Sequence, residues 1–303
     1  MLIVFNQMVS LFLLMLTGYL ANRSGVIDKT FESKVSRFIV NISLPATILN
    51  AVTGSDMAHD QEMLPIFVAA VSIFLVAHVI CHFIQKTIRW NPTYELMLNY
   101  SNLGFMGIPI IIALYPEQGG IYIAVFTVID QLVLWTIGLD LTSPPDSQTS
   151  VSLSKRLIKM VNPATIAITT GVFLVLTGIK LPAAVVNALA KPGSAASPLA
   201  MIYLGGIFCY IKIQNYLKCR EIYATVLIKM VLLPIAFYTV MHHIPSIDHS
   251  IAVTLSVLCA LPSMASIAMI AETQHSDGDY AAGMIFITTL FSIVTLPLVC
   301  LSL

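Results

Sequence analysis

Two ionisable side chains lie inside long apolar runs of this chain, where they could carry a proton or bind an ion. Asp130 follows the run GIYIAVFTVI, and Lys229 lies within TVLIKMVLLP. A charge at the centre of a membrane helix costs roughly 2.5–3.5 kcal/mol, so such residues are usually paired or functional. Asp130 is a candidate for ion coupling, for a buried pair with Lys229, or for direct substrate contact. Lys229 could instead extend to the membrane surface. The adjacent Gln131 could face a pocket or form an interhelical hydrogen bond.

Helix-breaking residues interrupt a third apolar run, at residues 95–114. The run is long enough to cross a ~30 Å hydrocarbon core as a helix. However, Pro109 has no backbone N–H to donate, and Gly104 lowers the cost of leaving helical dihedral angles. We therefore predict a break near Asn102, which would expose backbone groups beside an amide side chain. A packed kink is the alternative, since Gly and Pro are common in membrane helices.

A second interrupted run, at residues 253–279, favours a functional break over a kink. Pro262 falls near its middle and is followed by the hydroxyl of Ser263. The two interrupted runs align without a gap when Gly107 is placed on Ser266. Paired discontinuous helices are typical of secondary transporters, which hold substrate at the midplane where the breaks meet.

The composition is that of an integral membrane protein. Hydrophobic residues make up 57% of the 303 residues and charged residues 10%, against roughly 25% charged in soluble domains. The net charge is zero, so no acidic or basic tail suggests a nucleic-acid partner. Ten apolar runs have spanning length, at residues 2–21, 36–54, 63–85, 94–114, 118–141, 160–179, 195–213, 222–244, 250–271 and 280–302.

Basic residues predict the orientation of these spans. Twelve of the fifteen lie in loops that would share one face, and this face is expected to be cytoplasmic. The opposite face carries an acidic loop with Asp56 and Asp60. Both termini are therefore expected outside the cell. The twelve are Arg23, Lys29, Lys34, Arg37, Lys86, Arg89, Lys155, Arg156, Lys159, Lys212, Lys218 and Arg220.

A polar stretch divides the chain into two halves of five spans. We predict a first repeat at 1–141, a cytoplasmic linker at 142–159 and a second repeat at 160–303. An odd number of spans in each half inverts the second half. The spacing of Gly18 and Gly25 in span 1 recurs as Gly171 and Gly178 in span 6. The predicted fold is thus all-α, with two inverted five-helix repeats and broken crossing helices 4 and 9.

The two breaks would create a site for an anion. The second half of each broken helix would begin at the midplane with unpaired N–H groups, each end equivalent to about +0.5 charge. The first halves would end there with free carbonyl groups, which could bind a cation or be closed by side chains. Asn102 and Ser263 are short polar groups placed to contact the ligand.

Several segments resemble the auxin efflux carrier family, which includes the plant auxin transporters and bacterial carriers of small organic acids. The similarity covers nearly the whole chain and is strongest in five segments. These are SNLGFMGIPII, DQLVLW, CALPSMASIAMIAE, RFIVNISLPATIL and the stretch from Lys229 to Pro234.

The resemblance implies ten spans in a sodium/proton-antiporter-like fold, in a protein that is usually dimeric. It places Asn102, Gln131 and the surroundings of Pro45, Pro109 and Pro262 in the substrate pocket. This chain differs from plant members, which carry Pro at the position of Ser101 and an apolar residue at that of Asp130. These differences favour a carrier of small carboxylates, similar to malate, malonate or lactate, in a prokaryotic plasma membrane over a carrier of auxin.

Other functional classes have weaker support. The chain has no HExxH, GxSxG or P-loop motif, so an enzyme is not expected. Five scattered cysteines predict neither disulfides nor a metal cluster. His78 and His82 have metal-ligand spacing, but without a third ligand packing is the preferred interpretation; the group His242, His243, Asp248 and His249 is similarly ambiguous. We expect no cofactor, with Na⁺ or H⁺ as candidate coupling ions and lipid as the surroundings. A membrane sensor without transport activity is the alternative function.

Overall fold

A computed structural model describes residues 2–53, 63–88, 93–116, 118–134, 161–245, 247–268 and 278–303. The predicted linker and the acidic loop of Asp56 and Asp60 lie outside the described residues. Within the described residues the chain is helical, apart from connecting turns and one isolated bridge between Ser101 and Ser263.

The helices are numbered here in chain order. The first half contains α1 (Leu2–Arg23), α2 (Lys29–Phe38), α3 (Leu44–Thr53), α4 (Met63–Ile88), α5 (Thr93–Asn99), α6 (Ile108–Leu114) and α7 (Gly119–Val133). The second half contains α8 (Pro163–Thr177), α9 (Ala183–Ser194), α10 (Ala196–Ile207), α11 (Ile213–Tyr216), α12 (Arg220–Leu227), α13 (Leu233–His242), α14 (His249–Ala260) and α15 (Gly278–Ser302).

Within the part of the chain that the structure describes, five helical stretches are long and apolar enough to cross a membrane. They are Leu2–Arg23, Lys29–Thr53, Pro65–Ile84, Arg220–His242 and Tyr280–Ser302. Shorter apolar helices cover Leu103–Leu114, Gly119–Val133, Pro163–Thr177 and His249–Ala260. The described helices overlap all ten predicted runs, whereas the number of ten spans and the inverted repeat remain predictions. One region differs from expectation, because the predicted loop after span 6 forms α9.

Among the described helices, three contain a wider, π-helical turn just before a proline. A π-helical turn occupies Ile39–Ser43, Leu103–Gly107 and Ile228–Leu232, and in each case the next-but-one residue is proline. The residue before each proline donates its N–H to the carbonyl five residues earlier. Proline lacks an N–H and its ring opposes the carbonyl four residues back, so the wider turn relieves that conflict. The proline that follows therefore explains each wide turn.

Helices α1 and α10 approach each other at glycines. A Cβ added at Gly18 would overlap the backbone carbonyl of Ile202, and one added at Gly205 would overlap that of Met15. The reciprocal contacts run in opposite directions along the two helices, so α1 and α10 are antiparallel. Small residues at such contacts allow backbones to pack closely, as is common between membrane helices.

The glycine spacing seen in the sequence corresponds to two matching structural roles. Gly18 and Gly171 both face a neighbouring helix, and a Cβ at Gly171 would lie 2.9 Å from Cγ1 of Val52. Gly25 and Gly178 both follow a helix and have φ values of 77° and 68°. Glycine adopts this left-handed conformation at low cost. Gly25 therefore allows a sharp turn after α1, and Gly178 allows one after α8.

Candidate functional site

The two broken helices cross at their breaks. Helix α5 ends at Asn99 and the chain becomes helical again at Leu103, while α14 ends at Ala260. The N–H of Asn102 donates to the carbonyl of Pro262 at 2.9 Å, and the N–H of Met264 donates to that of Tyr100 at 3.1 Å. The predicted break near Asn102 therefore lies within one residue of the observed one, and the second break lies directly against it.

Side chains close the carbonyl end of α5. The Lys229 ammonium donates to the carbonyl oxygens of Met97 at 3.0 Å and Tyr100 at 2.6 Å. The Ser263 hydroxyl also donates to the carbonyl of Met97, at 2.8 Å. Lys229 is only 2% exposed, so it does not extend to the membrane surface. The sequence left open whether a cation or side chains would satisfy these carbonyl groups. In the structure, side chains donate hydrogen bonds to the carbonyl groups of Met97 and Tyr100.

Asn102 lies at the crossing with an amide that is fully buried. Among the described residues, neither its Oδ1 nor its Nδ2 has a hydrogen-bond partner. A buried polar group without a partner costs about 1–3 kcal/mol and calls for an explanation. An amide held at a helix break offers a donor and an acceptor to a ligand.

Asp130 lies beside the crossing in the middle of the protein. Its carboxylate is fully buried; Oδ2 accepts a hydrogen bond from Gln131 Nε2 at 2.9 Å, and Oδ1 has no partner among the described residues. Asp130 and Lys229 line one small cavity of about 20 Å³, with Asn99, Ser101 and Cys259. No ion pair within 4.0 Å joins Asp130 to Lys229 in the described structure. The two charges therefore share a cavity without direct contact.

The remaining sequence-predicted residues lie around this centre. Gly104 follows the break in the π-helical turn, and a Cβ there would lie 3.3 Å from Cδ1 of Leu44, which precedes the half-buried Pro45. Pro109 occupies the first turn of α6, further along the same span. The structure thus brings Asn102, Pro262 and Ser263 together, while Pro45 and Pro109 shape the helices nearby.

Sequence reasoning missed Asn99 and Thr288. Asn99 is 7% exposed, and neither amide atom has a partner among the described residues. The signal available in the sequence was the position of Asn99, one helical turn before Asn102. The Thr288 hydroxyl accepts from the backbone N–H of Ser263 at 3.3 Å and so holds the second break against α15. Nothing in the sequence connects α15 with that break.

The histidines form two groups of local contacts, one on α4 and one where α13 meets α14, in which the ring of His242 contacts those of His243 and His249. His78 Nδ1 lies 3.0 Å from the carbonyl of Phe74, whereas His82 Nδ1 lies 3.4 Å from Glu95 Oε1. His242 stacks on Tyr238, at a centroid distance of 5.5 Å. Among the described residues, no group of three or more His, Cys, Asp or Glu converges as metal ligands.

Asp248 is the N-cap residue of α14. Its carboxylate accepts hydrogen bonds from the hydroxyl and N–H of Ser250, and these bonds lower the pKa of the carboxyl group. Asp248 therefore caps the helix.

Comparison with known proteins identifies the family of this chain. The chain is 24% identical over 248 residues to the uncharacterized transporter YfdV of Escherichia coli K12, covering 78% of this chain and 77% of the relative. It is 23% identical over 302 residues to an uncharacterized transporter of Methanothermobacter thermautotrophicus strain Delta H, covering 97% and 96% of the two chains. The sequence pattern of the membrane transport protein family matches residues 3–300. This confirms the resemblance drawn from the crossing segments, and the chain belongs to the membrane transport protein family, that of the auxin efflux carriers.

Proposed function

We propose that this protein is a secondary transporter that carries a small organic anion, a carboxylate, across the plasma membrane by alternating access. The observation that carries the proposal is the Asn102 amide, which is buried at the crossing without a hydrogen-bond partner among the described residues. A carboxylate would accept from Nδ2, and the hydrogen bond to a charged group would contribute roughly 1.5–3 kcal/mol. Its binding would therefore offset the cost of burying the amide.

The electrostatics of the crossing favour an anion over a cation. The helical stretch Leu103–Leu114 begins at the crossing, and the first N–H groups of a helix have no intrahelical partner. This end carries the positive part of the helix dipole. Lys229 adds a positive charge that hydrogen bonds fix to the carbonyl groups of Met97 and Tyr100. The same bonds place an ammonium group where a cation could otherwise have bound those carbonyl groups.

Asp130 is the proposed coupling residue. Its Oδ1 is buried without a partner among the described residues and lies beside a cavity that could hold a single small ion or water. Binding of H⁺ or Na⁺ would neutralise the carboxylate, and release would restore its charge. Lys229 lines the same cavity, so the charge of Asp130 would act on the residue that closes α5. Coupling would then link ion binding to the geometry of the crossing.

The proposed architecture has two five-helix repeats of inverted topology, both termini outside the cell, and a homodimer as the assembly. The matching roles of Gly18 and Gly171, and of Gly25 and Gly178, support the repeat. Crossed breaks support alternating access, because repeats built around one site can rock while that site stays at the midplane.

Uptake by purified protein in liposomes tests the proposal. Vesicles would be offered labelled mono- and dicarboxylates under an imposed Na⁺ gradient, an imposed pH gradient, or neither. We expect accumulation of at least one carboxylate and none of matched organic cations. Saturable carboxylate binding with no flux under any gradient would instead identify a membrane sensor with the same fold.

A further inference from the structure

An apolar groove runs between α4 and α13. It encloses about 540 Å³, within the range of pockets that hold small molecules. The groove lies between two stretches that are long and apolar enough to span a membrane, Pro65–Ile84 and Arg220–His242. One wall is lined by residues of α4 between Pro65 and Val76, and the other by residues between Phe237 and Ile247.

The groove has the depth of one leaflet of a bilayer. Its wall on α4 extends from Pro65 to Val76, roughly 17 Å at 1.5 Å per residue. One leaflet is half of a ~30 Å hydrocarbon core, or about 15 Å. The shallow end lies near the start of α4, which begins at Met63, and the deep end lies near the middle of that helix. The opposite wall passes the end of α13 at His242, so both walls reach the same membrane surface.

The chemistry of the groove fits a hydrocarbon chain. Ser72 is the polar side chain among the lining residues, and its hydroxyl donates to the carbonyl of Val68 at 2.7 Å. An occupant therefore meets apolar surface along the whole groove. Val68, Val76 and Val240 are 54%, 46% and 62% exposed, so the groove is open towards the lipid. Among the described residues that line the groove, none offers a free hydrogen-bond donor to a carboxylate substrate.

The deep end of the groove borders the polar cavity of the candidate site. Ile73 and Phe237 line both the groove and the cavity that contains Asp130 and Lys229. Ile73 is 4% exposed, so it forms a wall between the two spaces. A chain in the groove would pack against one side of this wall, while the charged groups lie on the other side.

We propose that this groove binds one acyl chain of a phospholipid from the adjoining leaflet, with the chain end against Ile73 and Phe237. The bound chain excludes water from the lipid side of the cavity and holds the wall in place. Acyl-chain binding stands apart from the proposed transport, because it is measured without substrate.

Photolabelling in liposomes tests the proposal. The full-length protein would be reconstituted in phosphatidylethanolamine and phosphatidylglycerol containing a phosphatidylglycerol with a diazirine near the end of one acyl chain. Adducts would be located by mass spectrometry. The test variant is Val76→Trp, which fills the groove. The matched control is Val79→Trp, because Val79 is on the same helix, is 55% exposed and does not line the groove.

Acyl-chain binding predicts that adducts concentrate on the groove residues of α4 and α13, and that Val76→Trp lowers them severalfold while Val79→Trp leaves them unchanged. If Val76→Trp does not fold, Val240→Trp fills the opposite wall and must give the same loss. Equal labelling of both tryptophan variants, or labelling spread evenly over exposed residues such as Leu75, would overturn the proposal. A disulfide between two copies of Val76→Cys would also overturn it, since a second chain would then cover the groove.

Discussion

The ammonium nitrogen of Lys229 lies 2.6 Å from the carbonyl oxygen of Tyr100, at the point where the first half of span 4 ends. The same carbonyl accepts the N–H of Met264 from span 9. One oxygen atom thus joins three separate segments of the chain. A change in the position of Lys229 would therefore alter the hydrogen bonds that join the two breaks.

Replacing Lys229 by Met should destabilise the protein and abolish uptake. The carbonyl groups of Met97 and Tyr100 each keep one donor, from Ser263 and Met264 respectively. We therefore expect the free energy of unfolding to fall by about 1–3 kcal/mol, with the protein still folded. Thermal melting of the purified protein measures the loss. Lys191→Met is the control, because Lys191 is exposed on α9. Melting and uptake equal to wild type would show that Lys229 does not hold the crossing.

Replacing Asp130 by Asn should leave the protein folded but remove its response to an imposed ion gradient. Asp130 makes no direct ion pair with Lys229, and an Asn oxygen can still accept from Gln131. Melting should therefore remain close to wild type, while exchange of internal for external substrate continues. If Asp130→Asn lowers the amount of folded protein and a second substitution, Lys229→Met, restores it, the two residues form a structural pair. Breaking such a pair typically costs 3–5 kcal/mol.

Replacing Gly18 by Ala should destabilise the contact between α1 and α10. The added Cβ would overlap the backbone carbonyl of Ile202, which cannot rotate away as a side chain would. Overpacking of this kind typically costs 1–3 kcal/mol. The control is Gly120→Ala in α7, where an added Cβ meets nothing within 4 Å. Equal melting temperatures for the two variants would contradict the close helix approach.

The location of the first break could be predicted because local chemistry determines it. Pro109 and the nearby glycines weaken the helix, and the break falls at residues 100–102. The exact pairing of the breaks could not be predicted. The observed bridge joins Ser101 to Ser263 in antiparallel orientation, whereas the gapless alignment compares equivalent positions of the two runs and does not address which residues pair. Tertiary hydrogen bonds between the two breaks determine this register, and no local pattern encodes them.

Side-chain partners were the least predictable part of the site. A buried Lys and a buried Asp suggested an ion pair, yet Lys229 binds backbone carbonyl groups that only the helix break makes available. Asn99 was overlooked for a related reason. Its importance follows from burial beside the cavity rather than from a motif.

The most direct test of an anion site at the crossing is carboxylate uptake by Asn102→Ala, measured beside its melting temperature. The Asn102 amide has no partner among the described residues, so its removal should leave melting unchanged or raise it. Uptake should fall about ten- to hundredfold, since a hydrogen bond to a charged group contributes roughly 1.5–3 kcal/mol. Asn187→Ala, on the exposed surface of α9, should change neither quantity. Wild-type uptake by a folded Asn102→Ala protein would contradict the account and place the substrate elsewhere.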